Sequence, residues 1–281
     1  MGQIVRTLSE DGSCLCAAID STDIVNEIGQ MHNASTAVQA ALGRMASACS
    51  LMGCMLKYPN DKITVRINGG GPCGTITAVS DYKGNVKCCV TNPTADAEDI
   101  ETLVGDNGTL TVIKDLGLKE PYVGQIPLTT GNIARALTEY FSISEQLPTI
   151  FELGILFGDN GVSKAGGYML QAVPPISEKT IATLDANLSN LNGVGKLLEE
   201  NKSPEEIALS ALSGLGGEVL DKWEAKYKCD CSRERTEGIL ISLGKKELAK
   251  LAEEQEKTEV CCHFCNKKYV FTADELCKLL K

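Results

Sequence analysis

The sequence predicts an α+β protein in three parts: a mixed α/β N-terminal core domain, a helical linker and a small C-terminal zinc-binding domain. Three observations support this prediction. Apolar, strand-like segments mix with helical ones early in the chain, a helical stretch without aromatic residues or cysteines follows, and closely paired cysteines come last. The predicted boundaries are 1–176, 177–225 and 226–281.

The composition excludes several classes of protein. Of the 281 residues, 43% are hydrophobic and 23% are charged, which excludes collagen-like, coiled-coil and wholly disordered chains. No apolar run reaches the roughly 18 residues of a membrane helix, and no secretory signal is recognisable. The net charge of −10 argues against tight non-specific binding to nucleic acid. We therefore expect a cytoplasmic protein with neither membrane nor nucleic-acid partners.

The core domain is predicted to contain two helical regions and several strands. Residues 21–56 are rich in Ala, Leu and Met, with a helix cap near Asn33-Ala34-Ser35, and residues 130–146 are also predicted to be helical. Strands are predicted at residues 63–67, 76–79, 86–90, 109–114, 149–157 and 165–173, the last two around a turn at 158–161.

The linker is predicted to contain two short amphipathic helices. Apolar residues recur at helical spacing from Ile181 to Val194, which predicts the first helix. Ser203 as a cap, followed by Pro204 and Glu206, predicts the start of the second, which ends at Gly214. The predicted break between the two helices lies at Gly193, Gly195 and Asn201. Such short helices are marginal alone, so we expect them to rest on a neighbouring surface.

The C-terminal region contains two close pairs of cysteines. Cys229 and Cys231 form a C-x-C pair, Cys262 and Cys265 form a C-x-x-C pair, and 30 residues separate the pairs. Four sulfur atoms supplied in this way suit the tetrahedral geometry of a structural zinc site. Unligated core cysteines and a purely enzymatic dithiol are the alternatives.

Two neighbouring residues compete for a place in this zinc site. Cys261 precedes Cys262, but the two-residue spacer to Cys265 favours Cys262. His263 lies inside the same turn and stays a second alternative ligand.

The spacing of the pairs also suggests a redox switch. A module of about 50 residues is too small to be held by its core alone, and structural zinc supplies about 10–16 kcal/mol of apparent binding free energy. Disulfides Cys229–Cys231 and Cys262–Cys265 are the easiest to form, because their partners are close in sequence. Each closes only a short loop, so neither replaces the long-range link. Our hypothesis is that oxidation releases zinc, unfolds the module and uncovers the apolar faces of the linker.

The residues around these cysteines resemble a known family. Residues 227–235 and 260–265 are similar to the redox-regulated heat-shock chaperone family called heat-shock protein thirty-three. Residues 40–44, 140–149 and 165–171 are similar to the core-domain motifs of the same family, so the resemblance covers nearly the whole chain.

The resemblance implies an ATP-independent holdase, not an enzyme, that binds unfolding client proteins during oxidative stress. Reduced, it would be inactive and hold one Zn²⁺ per chain. Oxidised, it would form two short disulfides, release zinc, unfold its C-terminal half, form a homodimer and bind clients. Residues 177–225 would be its metastable linker. The residues that inherit both the metal-binding and the redox role are Cys229, Cys231, Cys262 and Cys265.

Two other functions stay open. A thiol–disulfide oxidoreductase would carry C-x-x-C early, after a strand, whereas here it lies near the C-terminus. A zinc-ribbon nucleic-acid-binding protein would use basic residues of the module to contact phosphates, but residues 229–281 have almost no net charge. The basic residues in question are Arg233, Arg235, Lys267 and Lys268.

The other cysteines are expected to be structural. Cys14 and Cys16 would share one face of a packed strand, Cys49 and Cys54 would fill the core, and Cys277 would lie in a terminal helix as a core residue. The remaining cysteines outside the two pairs, whose roles the sequence leaves undefined, are Cys73, Cys88, Cys89 and Cys261.

Overall fold

The computed structural model describes residues 2–159, 161–191 and 193–280. It divides the chain into two compact units, Met1–Lys228 and Cys229–Lys281. Asn160, in the predicted turn at 158–161, lies outside the described residues. None of the helices in the described ranges combines the length and the apolar character that a membrane crossing requires.

The first unit contains two antiparallel five-stranded sheets. The strand order is β10-β1-β2-β9-β8 in the first sheet and β5-β4-β3-β6-β7 in the second. The strands are β1 (Gly2–Leu8), β2 (Cys14–Asp20), β3 (Lys62–Asn68), β4 (Thr75–Asp81), β5 (Val86–Val90), β6 (Gly108–Asp115), β7 (Tyr122–Leu128), β8 (Thr149–Gly158), β9 (Gly161–Ala172) and β10 (Glu218–Ala225). The predicted strands are confirmed, whereas β1, β7 and β10 were not predicted.

The helices of the first unit pack on these sheets. They are α1 (Thr22–His32), α2 (Thr36–Gly53), α3 (Ile100–Val104), α4 (Ile133–Tyr140), α5 (Glu178–Asn190), α6 (Gly193–Glu199) and α7 (Pro204–Ala211), with a π-helix at Phe141–Glu145. The predicted cap at Ser35 is confirmed, since its side chain accepts a hydrogen bond from the Val38 amide. The predicted helical region 130–146 is confirmed as α4 and the π-helix.

Helix α2 is the centre of the first unit. It packs against strands of both sheets, and most of its residues are buried. Small residues allow this close approach: a Cβ at Gly43 would collide with Val25 and Ile155. Cys49 lies within this doubly covered helix and Cys54 caps its C-terminal end, and both are buried, which confirms their predicted place in the core.

Helices α5–α7, the linker helices, cover the outer face of the first sheet. Their apolar side chains form one buried cluster with Cys14, Cys16 and Ala18 of β2 and with residues of β9. The prediction of two helices in this stretch is wrong, because Gly193, at a φ of 75°, begins a separate helix. The predicted capping box of Ser203 and Glu206 at the start of α7 is confirmed.

The predicted helical character of residues 177–225 is wrong at the C-terminal end. Residues Glu218–Ala225 form β10, which pairs antiparallel with β1 along its whole length. Arg6 of β1 forms an ion pair with Asp221, and its guanidinium lies 5.1 Å from the centre of the Trp223 ring. The indole of Trp223 also donates a hydrogen bond of 2.7 Å to the Lys83 carbonyl. These contacts fix β10 as an edge strand of the sheet.

The second unit is small. It comprises α8 (Arg233–Ser242), α9 (Lys245–Glu254), the hairpin β11 (Lys257–Cys261) and β12 (Lys268–Thr272), and α10 (Ala273–Leu279). Helix α9 carries many charged residues, and Leu248 is its buried residue. The prediction that Cys277 lies in the core is wrong: it is exposed, because α10 turns Leu276 inward instead. The buried core consists of Leu240, Leu248, Tyr269, Phe271 and Leu276.

Candidate metal centre

The two cysteine pairs meet in the second unit. Cys229 and Cys231 precede α8, whose first turn is capped by Ser232 accepting a hydrogen bond from the Arg235 amide. Cys262 and Cys265 lie in the connection between β11 and β12. The four sulfur atoms all lie within 4.8 Å of one another, although 30 residues separate the pairs along the chain.

The turn between β11 and β12 orients the C-x-x-C pair. The Cys262 amide donates to the Lys267 carbonyl at 2.9 Å, and the Asn266 amide donates to the Cys262 carbonyl at 2.8 Å. Asn266 adopts a left-handed conformation with a φ of 56°, which Asn tolerates better than most residues. The cluster therefore contains Cys262, whereas Cys261 and His263 lie exposed outside it.

The sulfur separations fit a metal ion bound by four thiolates. The Sγ atoms of Cys229 and Cys262 are 3.7 Å apart, and those of Cys231 and Cys265 are 3.4 Å apart. In a tetrahedral zinc site with Zn–S bonds of about 2.3 Å, the sulfur atoms are about 3.8 Å apart. The four cysteines are therefore positioned to bind one metal ion of this kind.

Tyr269 adjusts the chemistry of the cluster from β12. Its hydroxyl donates a hydrogen bond of 3.1 Å to the sulfur of Cys231. Partial burial opposes ionisation of Cys231, but the hydrogen bonds from Tyr269 and from the neighbouring thiols outweigh it and lower the pKa of Cys231 to about 7. Partial burial raises the pKa of Cys229 and of Cys265. Cys231 is therefore converted more readily than Cys229 or Cys265 to the thiolate, the form that binds metals and reacts with oxidants.

The role of Tyr269 was not predicted from the sequence. A signal was present, because Tyr269 and Phe271 alternate in a short apolar segment directly after the C-x-x-C pair. Such alternation indicates a strand with one buried face, and both residues are indeed buried.

Arg233 joins three elements next to the cluster. From the start of α8 it donates to the Val270 carbonyl at 3.0 Å and to the Glu275 carboxylate at 2.7 Å. Its guanidinium also lies 4.2 Å from the centre of the Phe271 ring. These contacts hold the segment after Cys231 against β12 and α10.

The basic residues that a nucleic-acid-binding module requires are engaged inside this unit. Arg233 contacts Glu275 and Arg235 contacts Asp230. Lys268 contacts Glu259 at 2.9 Å, and the Lys267 ammonium lies 5.3 Å from the centre of the Tyr269 ring. This arrangement weighs against the nucleic-acid alternative.

Together the fold and the site define a class of protein: a two-sheet α+β unit followed by a small unit with a four-cysteine metal-binding cluster. The family model described as Hsp33 protein matches residues 2–272. The chain belongs to the Hsp33 protein family, and the resemblance seen in its cysteine and core motifs is confirmed.

Individual relatives resemble this chain over nearly its whole length. The 33 kDa chaperonin of Clostridioides difficile (strain 630) is 43% identical over 285 residues, which cover 99% of this chain and 98% of the relative. That of Alkaliphilus oremlandii is 40% identical, with 98% and 95% covered. The crystal structure of the 33 kDa chaperonin, a heat shock protein 33 homologue, from Thermotoga maritima matches with a TM-score of 0.90 at 33% identity, covering 99% of this chain and 97% of the other.

Proposed function

We propose that this protein is a redox-regulated, ATP-independent chaperone of the holdase type, which binds unfolding proteins under oxidative stress and prevents their aggregation. The observation that supports it most is the cluster of four cysteine sulfurs within 4.8 Å, in a chain of the Hsp33 family. The protein would act by binding its clients, not as an enzyme. We place it in the cytoplasm, with unfolded or misfolded proteins as its partners and neither nucleic acid nor membrane among them.

In the reduced state, the four cysteines Cys229, Cys231, Cys262 and Cys265 would hold one Zn²⁺ per chain. A bound zinc ion supplies a long-range link between two segments and stabilises the thiolate form. The second unit depends on this link, because its buried core contains only five of the described residues. Arg233 and Tyr269 hold the two cysteine pairs in register for such an ion.

In the oxidised state, these cysteines would form disulfides. Each one takes two thiols and one hydrogen peroxide to a disulfide and two waters, so two equivalents of peroxide consume all four thiols. We propose the pairs Cys229–Cys231 and Cys262–Cys265. Two close sulfur contacts join the pairs crosswise, Cys229 to Cys262 and Cys231 to Cys265. Crosswise disulfides would keep the long-range link, whereas the proposed pairs remove it, so the pairing decides whether the unit unfolds.

Each of the three predicted parts would have a separate role. Residues 1–176 would bind clients and dimerise when activated, residues 177–225 would respond to unfolding of the switch, and residues 226–281 would sense the oxidant. The linker helices support this division, because their apolar side chains cover the outer face of the first sheet. Moving these helices off the sheet would expose an apolar surface that fits unfolded proteins.

Zinc content, thiol count and disulfide pairing test this function together. We expect one zinc per reduced chain, released as four thiols disappear in peroxide at raised temperature. Mass spectrometry should show the two short disulfides, and the oxidised protein alone should suppress aggregation of a heat-labile protein. Equal suppression in both redox states, or retention of zinc after oxidation, would contradict the proposal. Turnover in an insulin-reduction assay would favour the oxidoreductase alternative.

A further inference from the structure

Two thiols that belong to neither cysteine pair lie beneath the linker helices. Cys14 and Cys16 project from the same face of β2, two positions apart, and both are completely buried. They belong to the apolar cluster that the first sheet forms with α5–α7. The side chains of the cluster that α7 and its C-cap contribute are Ile207, Ala208, Ala211 and Leu212.

Polar contacts hold the cover over these thiols mainly at its margins: among the described residues, the Glu10 amide donates to the Leu215 carbonyl at 3.0 Å, and Lys222 of β10 forms an ion pair with Glu205 of α7. The Thr7 hydroxyl lies between sheet and helix, 3.3 Å from the Cys16 carbonyl and 3.4 Å from the Ala208 carbonyl. Asn187 of α5 donates to the carbonyls of Ala211 and Ser213 at 3.0 and 2.8 Å. Short helices such as these are marginal without a partner surface. The burial of Cys14 and Cys16 thus depends on helices that can leave as a group.

Cys49 provides an internal comparison. It is as completely buried as Cys16, but it lies in α2, which packs against both sheets. Its sulfur lies 3.9 Å from the Ile63 carbonyl of β3, far along the chain from the linker helices. Exposure of Cys49 therefore requires opening of the doubly covered centre of the unit, whereas exposure of Cys14 and Cys16 requires only removal of α5–α7.

We propose that Cys14 and Cys16 form a concealed oxidation site, which opens to hydroperoxides when the linker helices leave the first sheet. The inference goes beyond the proposed function and rests on it only for the event that releases the helices in the cell. Burial raises the pKa of both thiols while the helices are in place, so the site is unreactive in the closed state.

The chemistry of the open site favours a sulfenic acid. The thiolate sulfur attacks the terminal oxygen of a hydroperoxide, the O–O bond breaks, and the leaving oxygen takes the proton to depart as water or alcohol. Alternate residues of a strand have Cα atoms about 6.6 Å apart, near the upper end of the range for disulfides. A disulfide between Cys14 and Cys16 is therefore disfavoured. The added oxygen would face the apolar surface of α7 and oppose the return of the helices.

Alkylation of the reduced, zinc-loaded protein tests, without any oxidant, whether the linker helices protect Cys14 and Cys16. In Ala208→Asp a carboxylate enters the buried face of α7, and Ser210→Asp places the same charge on the exposed face of the same helix. With iodoacetamide and peptide mass spectrometry, we expect Cys14 and Cys16 to react at least about tenfold faster in Ala208→Asp, because a buried charge favours local opening. Cys49 should stay protected, and Ser210→Asp should match the wild type.

The wild-type protein supplies a second measurement if Ala208→Asp fails to fold. On gradual warming, Cys14 and Cys16 should become reactive at a lower temperature than Cys49. If all three thiols become reactive together, or if Cys14 and Cys16 stay protected in a folded Ala208→Asp protein, the inference is overturned.

Trapping of the open state tests the effect on the return of the helices. In peroxide-treated protein the four cluster cysteines are protected as disulfides, whereas dimedone, which condenses with sulfenic acids and releases water, would alkylate Cys14 and Cys16. After reduction and addition of zinc, the alkylated wild type should keep suppressing aggregation, whereas a Cys14→Ala/Cys16→Ala protein treated identically should return to the inactive state. If both proteins return to the inactive state, the inference that modified Cys14 and Cys16 oppose the return of the linker helices is overturned. Failure of oxidation to activate either protein would instead count against the proposed function. The Ala208→Asp comparison would still test whether the linker helices protect Cys14 and Cys16.

Discussion

The two units of this protein are stabilised in different ways. In the first, α2 is buried between two five-stranded sheets, and dozens of apolar side chains are removed from water. In the second, the apolar core consists of five buried side chains, and Cys231 of the four-thiol cluster packs against it. The difference predicts that loss of a metal ion from the cluster would have unequal consequences: the first unit would keep its core, whereas the second would lose the link between its two cysteine segments.

Replacing one cluster cysteine should produce the largest contrast between the units. In Cys265→Ser we expect loss of stoichiometric zinc and of most hydrogen-exchange protection in residues 229–280, since zinc binding is worth about 10–16 kcal/mol in such sites. Protection of α2 should be unchanged. Cys277→Ser, at an exposed cysteine of the same unit, is the matched control. Retained protection of the second unit in a zinc-free Cys265→Ser protein would contradict the contrast.

Truncation of a core aromatic should sharpen the comparison next. Phe271 is completely buried in the small core, and Phe271→Ala should cost about 3–5 kcal/mol. Leu51→Ala in the first unit removes a completely buried side chain at a cost of about 2–5 kcal/mol. Hydrogen exchange should show that Phe271→Ala reduces protection only in the second unit, whereas Leu51→Ala leaves the protection of the second unit unchanged. Equal loss of protection in both units would mean that they unfold as one.

Removal of the Tyr269 hydroxyl should have a smaller effect. Tyr269→Phe deletes the hydrogen bond that favours the Cys231 thiolate, so protons compete better with zinc. We expect zinc affinity to fall by about 10–100-fold, as for other residues that orient metal ligands. The pH at which zinc is half released on acidification should rise, because the pKa of Cys231 moves up from about 7. Competition with a chelator across a pH series measures both, and an unchanged release profile would argue against this role.

Arg233 should give the smallest effect of the series. Arg233→Lys keeps the charge but loses the bond geometry to Val270 and the stacking on Phe271. Its partners are partly exposed, so solvent screening weakens the ion pair with Glu275. We expect the unfolding midpoint of the second unit to fall by a few degrees in calorimetry. An identical change at Arg135, whose ion pair with Glu139 belongs to the first unit, should leave that transition unaltered.

The sequence was sufficient where the signal is local. The spacing of the cysteine pairs predicted the four residues that the structure brings together, and the caps at Ser35 and Ser203 predicted where two helices begin. These signals depend on residues close in the chain, so they are legible without the tertiary structure.

The sequence was insufficient where pairing with distant residues decides the structure. Strand β10 alternates charged and apolar residues only weakly, and its strand conformation depends on β1, more than 200 residues away. The exposure of Cys277 was missed because Leu276 and Cys277, neighbours on a short helix, are both apolar. Which of them faces the core depends on the packing surface. The contribution of Tyr269 depends in the same way on the approach of β12 to Cys231.

The fixing of β10 to β1 has a consequence for the linker helices. Both ends of the helical segment are fastened to one sheet, through β9 before it and through β10 after it. Helices that leave the sheet therefore stay attached to it at both ends, and their return is an intramolecular step at high effective concentration. Under the proposed function, a client bound to the uncovered surface would compete with these tethered helices. Shortening or lengthening the segment between β9 and β10 should thus change how long a client stays bound.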